Sequence, residues 1–137
     1  MRRLEIGDQP FMTREETSKY TETYRDGTAT MFTLTMDARS IITSPAYPDR
    51  LASTGWRPIS GLAWSGRGRI RAVEVSVDGG TSWHAAELLT TPTPKAHVRF
   101  QYMWNWTGGE QLLLSRAIDE TGYVQPTRTA LVAAAII

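Results

Sequence analysis

Along "HVRFQYMWNW", Val98, Phe100, Tyr102, Trp104 and Trp106 alternate with Arg99, Gln101 and Asn105, the cleanest period of two in the chain. Successive side chains of a strand point to opposite faces, so this stretch predicts a strand with one apolar face. "RIRAVEVSVD" is rich in β-branched residues, "WRPISGLAW" is apolar enough for a buried strand, and "SWHAAELL" answers "RIRAVEVSVD" across an Asp-Gly turn as a hairpin. "MFTLTMD", "SIIT", "EQLLLSRAID" and "TRTALVAAAI" read as further strands, for a total of about seven or eight separated by turn signals. No segment shows a helical period, and no internal repeat is visible. The pattern predicts an all-β antiparallel sandwich. Residues 7–30, "GDQPFMTREETSKYTETYRDGTAT", have no sustained period and read as an extended N-terminal connector.

Length and composition narrow the class. A chain of 137 residues supports one domain with one core. With 41% hydrophobic residues, 21% charged residues and a net charge of +1, neither wholesale disorder nor a nucleic-acid partner is implied. Cysteine is absent, which removes disulfides, thiolate metal sites and cysteine nucleophiles from consideration. The opening "MRRLEIGDQPF" is basic but has no apolar run of the signal-peptide kind, and no stretch is long and apolar enough to suggest a membrane span.

Candidate chemistry begins at "SVDGGTSW", residues 76–83, a match to the Asp-box hairpin of secreted sugar enzymes. Asp78, Gly79 and Gly80 suit a tight turn, because Asp can bond its own turn backbone and Gly reaches positive φ without penalty; Trp83 would pack over the hairpin. A structural turn explains every residue of the pattern. Arg67, Arg69 and Arg71 alternate, so on an extended strand they would share one face and could meet an anion or an acidic partner, or simply line a solvated edge. His84 and His97 are two histidines without an acidic cluster and make no metal site. Asp119 and Glu120 are adjacent, so on a strand they point to opposite faces and cannot flank one glycosidic bond. Phe100, Tyr102, Trp104 and Trp106 form a face that packs either between sheets or against a partner. No catalytic, cofactor-binding or metal-ligating residue emerges.

The block "ISGLAWSGRGRIRAVEVSVDGGTSW", followed by "SRAIDETGYVQPTR", resembles the C-terminal dimerisation domain of the sulfite oxidase family of molybdenum oxidoreductases. Within it, the nearest likeness is to the molybdenum subunits of bacterial Sox sulfur (sulfane) dehydrogenases. The resemblance implies an immunoglobulin-like β-sandwich over residues 29–137, with residues 1–28 as the tail of a preceding molybdenum domain and a connector. It implies a homodimer, a molybdenum–molybdopterin cofactor and a c-type cytochrome electron acceptor for the full enzyme, and a periplasmic location. Family members ligate molybdenum through an upstream cysteine, so catalysis is not expected of this chain. The alternative from the residues alone is a monomeric carbohydrate-binding or fibronectin-like module of an extracellular enzyme, suggested by the Asp box and the five tryptophans.

Overall fold

The structure is a computed structural model that describes residues 2–11, 13–24, 26–30 and 34–134. The chain divides into two compact units, one of Thr35–Thr127 and one of Met1–Leu34 with Arg128–Ile137.

The smaller unit is made of short pieces. Helix α1 (Arg14–Lys19) lies inside the stretch expected to be extended; all six residues REETSK can be helical, and Glu15 and Lys19 pair one turn apart at 2.6 Å. Strands β1 (Glu22–Thr23) and β2 (Ala29–Thr30) form a two-residue hairpin. Its turn is closed by Asp26, whose carboxylate accepts from the Thr28 amide at 2.9 Å and the Thr28 hydroxyl at 2.6 Å.

The larger unit is the sandwich. Its strands are β3 (Arg39–Ser44), β4 (Gly55–Trp64), β5 (Ile70–Ser76), β6 (His84–Ala85), β7 (Glu87–Leu88), β8 (Val98–Trp106) and β9 (Leu114–Asp119). One antiparallel sheet has the order β3-β4-β8-β7 and the other β6-β5-β9. An all-β sandwich was expected, and the order of its strands is the one that brings β4 and β8, the two longest, side by side in nine-residue register from Gly55↔Trp106 to Ala63↔Val98. The core between the sheets holds Ile59 and Ala63 of β4, Ile70, Val73 and Val75 of β5, Val98, Phe100 and Trp104 of β8, and Ala117 of β9. Ile70 and Val73 are both buried although three apart, because the β5–β9 register shifts between Ile70 and Ala72 and turns the strand by one position.

Three local expectations need correction. Of "MFTLTMD", residues 31–33 lie outside the described residues, and 34–37 form no strand. "SWHAAELL" is not the second arm of one hairpin: β6 pairs with β5 for two residues, Ala86 donates to the Val73 carbonyl at 2.9 Å, and β7 then joins β8 in the opposite sheet. "TRTALVAAAI" is not a strand but carries helix α2 (Arg128–Ala134). An apolar run of this length fits either element, but Ala130, Leu131, Ala133 and Ala134 are among the strongest helix formers, and that propensity decides it. None of the described helices is long and apolar enough to cross a membrane.

Candidate functional site

At the end of β5 the "SVDGGTSW" turn is a closed network of short polar bonds. The Ser76 hydroxyl donates to the Asp78 carboxylate at 2.7 Å and accepts from the Gly80 amide at 2.8 Å. The Asp78 carboxylate also accepts from the Ser82 hydroxyl at 2.6 Å and from the Ser82 amide at 2.9 and 3.1 Å. Gly79 and Gly80 have φ of 72° and 96°, which a residue with a Cβ adopts only at a cost. The Ser82 hydroxyl, then the Ser82 amide and the Ser76 hydroxyl, hold the Asp78 carboxyl well below its ordinary value. Both carboxylate oxygens are committed to the turn. Trp83 lies over the neighbouring strand, with the Arg116 guanidinium 4.2 Å from its ring centre, and Arg116 in turn binds Glu74 at 2.6 Å.

The three arginines do not share a strand face, since Arg67 and Arg69 lie in the bend before β5 and only Arg71 is on the strand. Arg67 pairs with Asp37 at 2.6 Å and sits 5.3 Å from the Tyr123 ring centre; Arg69 pairs with Glu120 at 3.1 Å. All three are exposed, but Arg67 and Arg69 are paired with the chain's own carboxylates, and Arg71 is the one of the three that lies on the strand.

The apolar face of β8 turns inward. Phe100 is fully buried and Trp104 is 9% exposed, while Tyr102 and Trp106 are half-buried against the core. Tyr102 is stacked by His84 at 5.6 Å, His97 meets Trp64 edge-on at 5.0 Å, and the Trp106 indole N–H donates to the Gly109 carbonyl at 3.1 Å. An open cleft of about 670 Å³ reaches Trp104 and Trp106 beside Leu51 and Leu113, but it exposes little of Trp104.

The opposite face of this sheet presents different side chains. In β4 the outward positions are Trp56, Pro58, Ser60, Leu62 and Trp64, and the register places Ile41 beside Leu62, Met103 beside Pro58 and Gln101 beside Ser60. Trp56 is 69% exposed, Ile41 52% and Met103 49%. The sequence carried this signal, because "WRPISGLAW" is apolar at alternate positions on both faces; reading it as a uniformly buried strand concealed the outward set.

A second site without a counterpart in the sequence reading joins the two sheets. The Gln125 side-chain carbonyl accepts from the Ser40 hydroxyl of β3 at 2.8 Å and from the Ala117 backbone amide of β9 at 3.2 Å, and the Gln125 backbone amide donates to the Ala117 carbonyl at 2.9 Å. Ser40 also exchanges a hydrogen bond with Ser115 of β9 at 2.9 Å. Beside this corner, Asp119 is fully buried. Burial pushes its carboxyl up, but bonds from the hydroxyls of Thr121 and Ser65 and the amides of Thr121 and Tyr123 outweigh that and hold it below its ordinary value.

These features are structural: turns and ties, with two apolar sheet faces, one of them covered. A model of the Mo-co oxidoreductase dimerisation domain matches residues 30–135. The chain belongs to that family. Among solved structures, this dimerisation domain is similar to the sulfane dehydrogenase SoxCD from Paracoccus pantotrophus, at 52% identity and a TM-score of 0.82 over 90% of this chain and 32% of that one. Sulfite oxidase from Gallus gallus is 32% identical over 101 residues, 69% of this chain and 22% of that protein. Nitrate reductase [NADH] 2 from Phaseolus vulgaris is 34% identical over 77 residues, 52% of this chain and 8% of that protein. The dimerisation domain therefore spans about a fifth or less of these two relatives' length.

Membership decides between the two readings that the residues alone left open: the domain is a structural part of a sulfite oxidase-like molybdenum-cofactor enzyme, and the carbohydrate-module alternative falls. The family's enzymes use a molybdenum cofactor, and this domain supplies no thiolate to ligate the metal. The sequence contains no cysteine, and among the described residues no three His, Asp or Glu side chains come together as a metal site.

Proposed function

We propose that this chain is the self-association domain of a periplasmic, molybdenum-dependent sulfur dehydrogenase. In the full enzyme, the oxidation of sulfite or sulfane sulfur and the transfer of electrons to a c-type cytochrome belong to other parts of the assembly. Within this reading, residues 1–28 are the tail of the molybdenum domain and the connector, and residues 29–137 are the pairing domain. The observation that carries it is the likeness to SoxCD over 90% of the chain at 52% identity, far above what a shared fold alone requires. The polar groups described above support a scaffold role: the Asp78 turn, the Gln125 tie and the Arg67 and Arg69 ion pairs are bonded within the chain's own fold.

The test is to purify the gene's complete product from its host, measure its molybdenum by elemental analysis, and assay cytochrome c reduction with thiosulfate and with sulfite. About one molybdenum per chain and reduction with either donor are expected. A product free of molybdenum and inert with both would overturn the assignment.

A further inference from the structure

Charge is unevenly distributed along the strands of the sandwich. Strands β3, β5 and β8 begin where β4 and β9 end, since Arg39 pairs with Trp64, Val98 with Ala63 and Ile70 with Asp119, and the short link 65–69 carries β4 directly into β5. That end holds Arg39, Arg67, Arg69, Arg71, Lys95 and Arg99 against the carboxylates of Asp37, Asp119 and Glu120. The far end, with the 45–54 and 107–113 loops and the Asp78 turn, holds Arg50 and Arg57 against Asp49, Asp78 and Glu110. The net charge of +1 for the chain conceals this asymmetry.

Arg67 is paired with Asp37 and Arg69 with Glu120. Among the described residues, Arg39, Arg71, Lys95 and Arg99 are exposed and form no ion pair with a carboxylate of the chain. Arg39 is the first residue of β3, and Arg71 and Arg99 are the second residues of β5 and β8, so their long side chains can reach past the end of each sheet. Lys95 has a φ of 58°, which few non-glycine residues adopt, and its amide donates to the Gly68 carbonyl at 3.0 Å. The bend beyond Gly68 is itself held, because the Arg69 amide donates to the Glu120 carboxylate at 3.0 Å. The cations therefore stand on anchored backbone.

Their spacing selects the kind of partner. A small oxyanion is held by donors that converge on it within hydrogen-bond distance. Arg39 and Arg99 instead flank β4 from opposite sides, two positions out of step, with backbones about 12 Å apart. The indole between them is already occupied: Trp64 donates its N–H to the Met36 sulfur at 2.7 Å and meets His97 edge-on at 5.0 Å. Nucleic-acid sites cluster Lys and Arg along a stripe in a strongly basic domain, which this chain is not. Separated, hydrated cations around a rim match the scattered carboxylates of another protein and act mainly by steering its approach. We infer that the end of the sandwich bearing Arg39, Arg71, Lys95 and Arg99 docks an acidic protein surface. The inference stands on these charges and does not require the proposed sulfur chemistry.

The test titrates fluorescein-labelled poly-L-glutamate, standing in for an acidic protein surface, with the 137-residue chain. Anisotropy is followed at about 20 mM and about 200 mM NaCl, where the Debye length falls from roughly 20 Å to roughly 7 Å. Saturable binding at the lower salt, weakened at least about tenfold at the higher, is expected. Arg99→Glu and Arg71→Glu, both at exposed positions, should each weaken low-salt binding roughly fivefold, and Arg50→Glu at the far end less than about twofold. Circular dichroism checks the fold, and Arg99→Gln and Arg71→Gln, expected to weaken binding about twofold, replace any reversal that disturbs it. A parent that leaves the probe free at low salt overturns the inference, as does an Arg50→Glu variant that loses as much as the other two. Duplex DNA that binds where poly-L-glutamate does not would assign the end to nucleic acid. Sulfate that displaces the probe better than chloride at equal ionic strength would assign it to a small anion. Either result overturns the protein partner.

Discussion

Replacing Gln125 by leucine tests whether the two sheets are held together by the corner hydrogen bonds as well as by the core. Leucine keeps the bulk and leaves the bond from the backbone amide of that position to the Ala117 carbonyl, but it cannot accept from the Ser40 hydroxyl or the Ala117 amide. Ser40 retains Ser115 as a partner, so its loss is small. The Ala117 amide belongs to a fully buried residue, and a buried donor left without an acceptor costs about 1–3 kcal/mol. Taking about 2 kcal/mol, and about 4–8 °C per kcal/mol for a unit of this size, the melting temperature should fall by roughly 8–16 °C. Gln125→Glu keeps an acceptor oxygen at the same place and should lose less than half as much at neutral pH. Thermal unfolding followed by circular dichroism measures this, with all variants at one protein concentration because association raises apparent stability. A Gln125→Leu variant that melts within about 2 °C of the parent would show that the corner bonds are incidental to the sandwich.

The Asp78 turn yields two further expectations. Gly79→Val meets no steric obstruction, its added Cβ lying 3.6 Å from Leu112, so its cost is conformational: φ near 72° should destabilise the domain by roughly 1–3 kcal/mol, Gly79→Asn by less, and equal melting temperatures for the two would contradict the argument. The Asp78 carboxyl, held below its unfolded value chiefly by the Ser82 hydroxyl, stabilises the fold above the unfolded pKa and loses that contribution as pH falls through the folded one. The gap in melting temperature between the parent and Asp78→Asn should therefore be constant above about pH 5 and shrink below about pH 4, and a gap independent of pH across that window would show that the charge is not what Ser82 recognises.

Much of the sandwich was legible because strand periodicity is a local property. β4, β5 and β8 fall within a residue or two of the segments marked by β-branched and aromatic alternation, and the Asp78–Gly79–Gly80 turn follows from residue types that few other turns accommodate. What alternation does not contain is the identity of the covered face. Phe100 and Trp104 share a side of β8, but only the pairing with β4 and the position of β5 turn that side inward, and the same pairing exposes Met103 and Trp56. The strand crossing at Ala86 was hidden for a similar reason: two residues per strand are too few to show a period, and the change of sheet depends on backbone partners far away in sequence. Helix α2 was missed because an alanine-rich apolar run has no polar face to display a period, so propensity had to decide where pattern was silent. Gln125 gave no signal of its own, since its partners Ser40 and Ala117 lie 85 and 8 residues away in the chain.

The crossing at Ala86 also governs how this domain avoids indiscriminate assembly. An unpaired strand border is a template onto which any extended chain can add, and long, flat, apolar borders are where β proteins polymerise. By leaving one sheet after β6 and entering the other as β7, the segment gives both sheets a border only two residues long on that side. On the opposite side β3 and β9 have their borders tied to each other through Ser40, Ser115 and Gln125. Backbone-mediated addition is thereby blunted at both ends of the sandwich, and an aromatic surface on this domain can persist without seeding fibres.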